Sequence, residues 1–134
     1  MENKLILLQS LEKLFDKGDL ILFKWRSDAL WSIDYVSENV VKLLGYSSEE
    51  FMNKEVNYVN CIEKSFVDRV QGEVMQAAQS GAAFFKHEPY KIITKNKQEK
   101  WVEDQTVIEK DKNGTITHYI GFIKDVTQTM ELRF

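Results

Sequence analysis

Cysteine, proline and histidine are scarce in these 134 residues: one Cys (Cys61), one Pro (Pro89) and two His (His87 and His118). A single thiol excludes an intrachain disulfide, and no Cys/His spacing of a zinc site is present. That pattern fits a reducing, cytoplasmic setting. An excess of positive charge is also missing, since 18 Lys and Arg face 21 Asp and Glu for a formal charge of -3. Without a basic footprint or Lys/Arg clusters beside aromatics, nucleic-acid binding is not expected. Long apolar runs are absent too: the longest near the start is Leu5 to Leu8, too short for a signal sequence or a membrane span. Membrane insertion by this segment is therefore not expected. Nor is there a nucleophile elbow, a phosphate loop or a metal-ligand spacing, so the chain is not expected to be an enzyme.

What is present is an ordinary globular balance, 43% hydrophobic and 29% charged, sized for one domain. The last third organises it. Two runs rich in Trp, Val, Ile, Thr, Tyr and Phe flank Asp111-Lys112-Asn113-Gly114, where Asn-Gly supplies the positive φ angles of a tight reversal. This predicts a hairpin of two long strands that the upstream chain must cover.

Upstream, Leu5, Leu8, Leu11 and Phe15 recur at helical spacing, with Leu7 and Leu14 beside them and Gly18 at the end. The stripe of this amphipathic helix packs on its own domain or pairs with a second copy. Leu20–Trp25 and Trp31–Val36 read as two strands joined through Arg26–Leu30. Two short helices follow, one over Val40–Leu44 with a capping residue in Ser37-Glu38-Asn39 and a terminal Gly45, the other opened by Ser47 with acids in its first turn. The segment 56–62 reads as a turn with one buried edge. From Glu63 to Ser80 the apolar positions return every three or four residues, a helix of about five turns. Phe84–Thr94 is a strand with Pro89 at its start, at a bulge or at an edge. The fold class is α+β: an antiparallel sheet with helices gathered on one face.

The stretches Phe23–Arg26, Trp31–Val40, Leu43–Ser47, Glu50-Phe51, Tyr90–Lys95, Lys100–Glu103 and Gly121–Thr127 together resemble a PAS domain. The wording is similar to PAS domains that precede diguanylate cyclase, phosphodiesterase or histidine kinase modules in bacterial sensors. The resemblance implies a five-stranded antiparallel sheet in the order 2-1-5-4-3. It divides the chain into an N-terminal amphipathic helix (1–18), a PAS core (19–127) and the start of a linker to an output domain (128–134). Two departures limit cofactors. Flavin-binding members carry Asn-Cys-Arg, whereas Asn60-Cys61 is followed by Ile62, and the flavin-holding positions are Ile92, Val102 and Ile123. Haem-binding members use a histidine on the long helix, while His87 and His118 fall on predicted strands. Neither a flavin–cysteinyl adduct nor haem is expected, and Cys61 reads as an inert packing thiol.

Taking Gly121 as inward by the resemblance, alternation places Tyr119, Gly121, Ile123 and Asp125 on the inner face of the last strand, with Val102, Asp104, Thr106 and Ile108 on the one before. Tyr90 and Ile92 join them. With Phe66 and Val70 of the long helix, Tyr90, Ile92, Val102, Asp104, Thr106, Tyr119, Gly121 and Ile123 are the ligand-pocket candidates. Asp104 needs a donor in that interior: Tyr90, Thr106 or a ligand. The outer set, Trp101, Val107, Ile120 and Phe122, is too apolar to face water, so the N-terminal helix, from this chain or a partner, is expected to cover it through Leu8, Leu11 and Phe15. His118 is expected to be solvated, and Trp25 and Trp31 to pack at the sheet's other edge. By the resemblance, Asp125 and Thr127 fix the start of the outgoing helix and relay a signal.

The reading is a sensory or dimerisation module, a homodimer joined to an output domain. In one version a small ligand enters between the long helix and the sheet. In the other the interior is filled by Phe66, Val70, Met75, Tyr90 and Ile123, and the domain only pairs copies. A remote alternative is a small α+β enzyme using Asp104, Asp125 and His118, which alternation opposes by placing His118 on the other face.

Overall fold

The computed structural model describes residues 2–133; Met1 and Phe134, the ends of the segments 1–18 and 128–134, lie outside them. Five α-helices and six strands follow in the order α1 (Glu2–Lys17), β1 (Leu20–Arg26), β2 (Ile33–Val36), α2 (Val40–Leu44), α3 (Ser48–Met52), α4 (Lys64–Gln79), β3 (Phe84–Lys86), β4 (Tyr90–Ile93), β5 (Glu99–Lys110), β6 (Ile116–Asp125) and α5 (Thr127–Arg133). A 3-10 turn over Tyr58–Cys61 precedes α4. The sheet runs β2-β1-β6-β5-β3, all antiparallel, with β4 also on β5. The expected third strand is thus two strands on one neighbour. Between them lie His87, Glu88 and Pro89, and proline, which has no N–H for the ladder, marks the break.

The closing hairpin forms as its composition dictates, but its turn works differently. Only Gly114 of the four loop residues takes a positive φ, 80°. Asp111 does the rest: its Oδ1 accepts from the backbone N–H of Asn113 and Thr115 at 2.8 and 3.0 Å. Ser47 caps α3 in a capping box with Glu50. Asn39, by contrast, makes no side-chain cap on α2. Its amide donates instead to the carbonyls of Gly18 and Leu20, tying α2 to the entry of β1. The segment 56–62 resolves into the 3-10 turn and a bridge from Ile62 to Ile92.

Alternation governs which side chains meet. Val102, Asp104, Thr106, Ile108, Tyr119, Ile123, Tyr90 and Ile92 are all buried. Asp125 departs from this pattern: it is exposed, although its partner Val102 and the following Val126 are buried. Its carboxylate accepts from the N–H of Thr127, and Thr127 Oγ1 in turn accepts from the N–H of Trp101, both at 2.9 Å, so β5 and β6 jointly hold the first turn of α5. On the outer face Trp101, Ile120 and Phe122 are half-buried and Val107 is exposed.

Within this chain α1 does not bury its leucine stripe. Leu8 and Leu11 are 60% and 40% exposed, and only Phe15 of the three contact candidates is half-buried. Polar contacts attach the helix beside β2, where Tyr35 Oη donates to Glu12 and the N–H of Glu38 donates to Asp16.

Candidate functional site

A cavity of about 20 Å³ lies between α4 and the inner face of the sheet, room for the centre of a single water molecule. Of the pocket candidates, Val70, Tyr90, Asp104, Thr106 and Tyr119 line it. Ile92, Val102 and Ile123 are fully buried in the surrounding core and do not. Gly121 presses against β5: a Cβ there would stand 2.4 Å from the carbonyl oxygen of Gln105 and 2.7 Å from Thr106 Oγ1. Phe66 turns away from the cavity, its ring meeting Trp101 edge-on at 5.5 Å. Met75, expected as filling, is 59% exposed.

The remaining wall comes from residues outside the candidate set: Trp25, Trp31, Tyr58, Val74, Phe85 and His87. Trp25 is buried and stacks on Phe23 at 4.9 Å rather than packing at the sheet's edge. His87 is not on a strand; it sits in the break between β3 and β4 and is 3% exposed. One sequence signal did point to its partner. Glu73 falls three residues after Val70 and four before Ala77, on the buried stripe of α4, where a carboxylate requires a donor.

The polar groups form two hydrogen-bonded chains, one around Asp104 and one around Glu73. Tyr90 Oη donates to Asp104 Oδ2 at 2.7 Å, and since that uses its only proton, Tyr58 Oη, also 2.7 Å away, must donate to Tyr90. Thr106 Oγ1 donates to the other Asp104 oxygen at 2.8 Å. His87 Nδ1 donates to Glu73 Oε1 at 2.7 Å, and its Nε2 stands 3.9 Å from Asp104. Arg69 closes the far end, donating to Glu73 and to the carbonyls of Glu88 and Pro89. The break at Pro89 is therefore anchored to α4.

Burial, only partly offset by the charge of His87 and the bonds from Tyr90 and Thr106, raises the Asp104 carboxyl above its ordinary range. Burial likewise pushes the Tyr58 and Tyr90 hydroxyls well up and the Cys61 thiol to about 12, so Cys61 is a neutral packing thiol. A carboxyl whose folded pKa exceeds its unfolded one favours the fold while protonated, and this contribution is lost as pH rises from near 3.8 through the folded value. Asp104→Asn removes the titration. The stability of wild type minus that of the variant, from urea unfolding at a series of pH values, is expected to fall as pH rises across that window; a difference that rises with pH contradicts the assignment.

His118 does face outward, but it is not merely solvated. Its Nε2 bonds Asp34 at 2.9 Å, and Asp34 also accepts from Arg26 at 2.7 Å. At Asp34 burial pushes the carboxyl up, but those two bonds and the charges behind them together hold it below its ordinary range. His118, Asp104 and Asp125 do not converge: one is on the outer face, one in the core and one exposed at the strand's end. Among the described residues no group of three or more His, Cys, Asp or Glu is placed to hold a metal ion. No described helix is long and apolar enough to cross a membrane.

Comparison with known proteins decides the family. A sequence profile described as "PAS fold" matches residues 33–123, the span from β2 to the inner-face Ile123. The chain belongs to the PAS fold family. A methyl sulfide methyltransferase-associated sensor of Methanosarcina acetivorans is 33% identical over 121 residues, 90% of this chain and 12% of that protein. The PAS domain thus spans about an eighth of that relative's length. Among solved structures, a PAS domain from Colwellia psychrerythraea superposes with a TM-score of 0.73 at 19% identity, covering 91% of this chain and 98% of that one. The N-terminal domain of a diguanylate cyclase with PAS/PAC sensor from Marinobacter aquaeolei superposes at 0.69 and 15% identity, covering 83% and 98%. The first of these relatives is named as a sensor, and the last as a cyclase with a PAS/PAC sensor.

Proposed function

We propose that this PAS domain is the sensory module of a larger signalling protein, that it binds a small molecule in the cavity between α4 and the sheet, and that Asp125 and Thr127 pass the bound state into α5. The observation that carries the reading is the buried chain Tyr58–Tyr90–Asp104–Thr106 in the cavity wall, with His87 beside Asp104 and held from behind by Glu73. A guest there touches groups of α4 and of β5 at once. The register pairs Asp104 with Ile123 and Val102 with Asp125, so a shift of β5 reaches the residues that hold α5. A two-state relay needs such differential contacts.

The small volume supports a second reading, in which the interior stays shut and copies of the domain pair through the α1 stripe (Leu8, Leu11, Phe15) and the outer face (Trp101, Ile120, Phe122). A thermal-shift screen of small molecules, with the solution mass measured alongside, separates the two. Sensing predicts at least one compound that raises the melting temperature. No stabilising compound together with a dimer mass would favour pairing alone and overturn ligand sensing.

A further inference from the structure

We propose that the cavity takes a small, neutral aromatic molecule carrying one hydrogen-bond acceptor, and that the indole N–H of Trp25 is the donor that selects it. The inference rests on the ligand-sensing reading and adds the chemical class of the guest.

Fully buried polar side-chain atoms around the cavity are matched, with one exception among the described residues. Asp104 accepts from Tyr90 and Thr106, Tyr58 donates to Tyr90, and His87 donates to Glu73. Trp25 is 5% exposed, and its Nε1 is the one buried side-chain nitrogen or oxygen with no partner among the described residues. Buried donors are almost always paired, so a lone one in a cavity wall points to an acceptor supplied from outside the chain. One face of its ring is already covered by Phe23, stacked within 4° of parallel.

Charge narrows the class further. An anion would lie beside Asp104 in a water-poor interior, where like charges repel strongly. A cation would leave the Trp25 N–H unmatched, and the Glu73 carboxylate already has Arg69 at 3.1 Å and His87 at 2.7 Å. A neutral acceptor meets both conditions. The walls supply the shape preference, because Trp25, Trp31, Tyr58, Phe85 and Tyr119 present aromatic rings, which favour a flat aromatic guest.

At about 20 Å³ the closed cavity is too small for such a molecule, so a wall must move. Trp31 is placed to do so. It lies in the loop between β1 and β2, is half-buried, and holds φ at 51°, an uncommon conformation for a bulky side chain. Swinging it outward enlarges the space that Trp25 borders.

The test uses four probes of similar size on the whole chain: acetophenone (neutral acceptor), ethylbenzene (no acceptor), benzoate (anion) and phenyltrimethylammonium (cation). Binding is followed through the indole N–H signals of the three tryptophans in nitrogen-15 NMR spectra, that of Trp25 being identified with Trp25→Phe. Acetophenone is expected to move the Trp25 proton downfield and to bind about tenfold more tightly than ethylbenzene, a ratio that Trp25→Phe abolishes. Should that variant fail to fold, the comparison of the two neutral probes on the wild type decides alone. Equal binding of both, or tightest binding of a charged probe, overturns the inference and leaves a ligand cavity of another class. Binding of none of the four also overturns it, and the broader screen then judges sensing itself.

Discussion

Gly121→Ala is expected to lower the unfolding free energy by about 3 kcal/mol, at the upper end of what overpacking costs. The added Cβ would meet the Gln105 carbonyl oxygen at 2.4 Å and Thr106 Oγ1 at 2.7 Å. The hydroxyl can rotate, although it then leaves Asp104. The carbonyl belongs to the backbone of β5, in the longest ladder of the sheet, so relief requires β5 and β6 to separate at the Thr106–Gly121 pair. Urea unfolding measures the loss, and an effect below about 1 kcal/mol would show that the ladder yields more easily than interior packing allows.

Tyr90→Phe is expected to be of similar size, about 3 kcal/mol at neutral pH, for a different reason. Volume is conserved, yet one hydroxyl serves two partners: Asp104 loses a donor at 2.7 Å and Tyr58 loses its acceptor. Leaving a buried carboxylate short of a donor is among the larger single penalties in a folded core. The loss should shrink on acidification through the raised range of Asp104, because a protonated carboxyl requires less from its donors. A pH-independent loss in the same unfolding series would assign the effect to the Tyr58 side alone.

Features set by neighbours along the chain were legible from residue order. Period-two alternation placed Val102, Asp104, Thr106 and Ile108 inward, and the Ser47–Glu50 capping box announced α3. Features set by how elements dock were not. Phe66 satisfies the apolar period of α4 equally well facing the cavity or facing Trp101, and only the approach of α4 to β4 decides. His87 follows Phe85 inward in the alternation of β3, and the break at Pro89 offsets that strand by one residue from Tyr90 and Ile92, which residue order did not show. Asp125 is exposed although alternation placed it inward, its carboxylate accepting from the N–H of Thr127 at the strand's end. Trp31 carries no sign in sequence of its positive φ, which belongs to the loop it closes.

β5 connects the inner face to α5, its Trp101 donating to Thr127 and accepting from Val126. Amide hydrogen exchange at Thr127 and Met130, compared between the wild type and Asp104→Asn, tests that join most directly. Exchange at helix ends reports local opening as well as global unfolding, so the two proteins are compared after correcting for their difference in global stability. The account predicts that changing the charge at Asp104, three residues along β5 from Trp101, alters protection at both amides. Identical exchange at Thr127 and Met130 in the two proteins would contradict it.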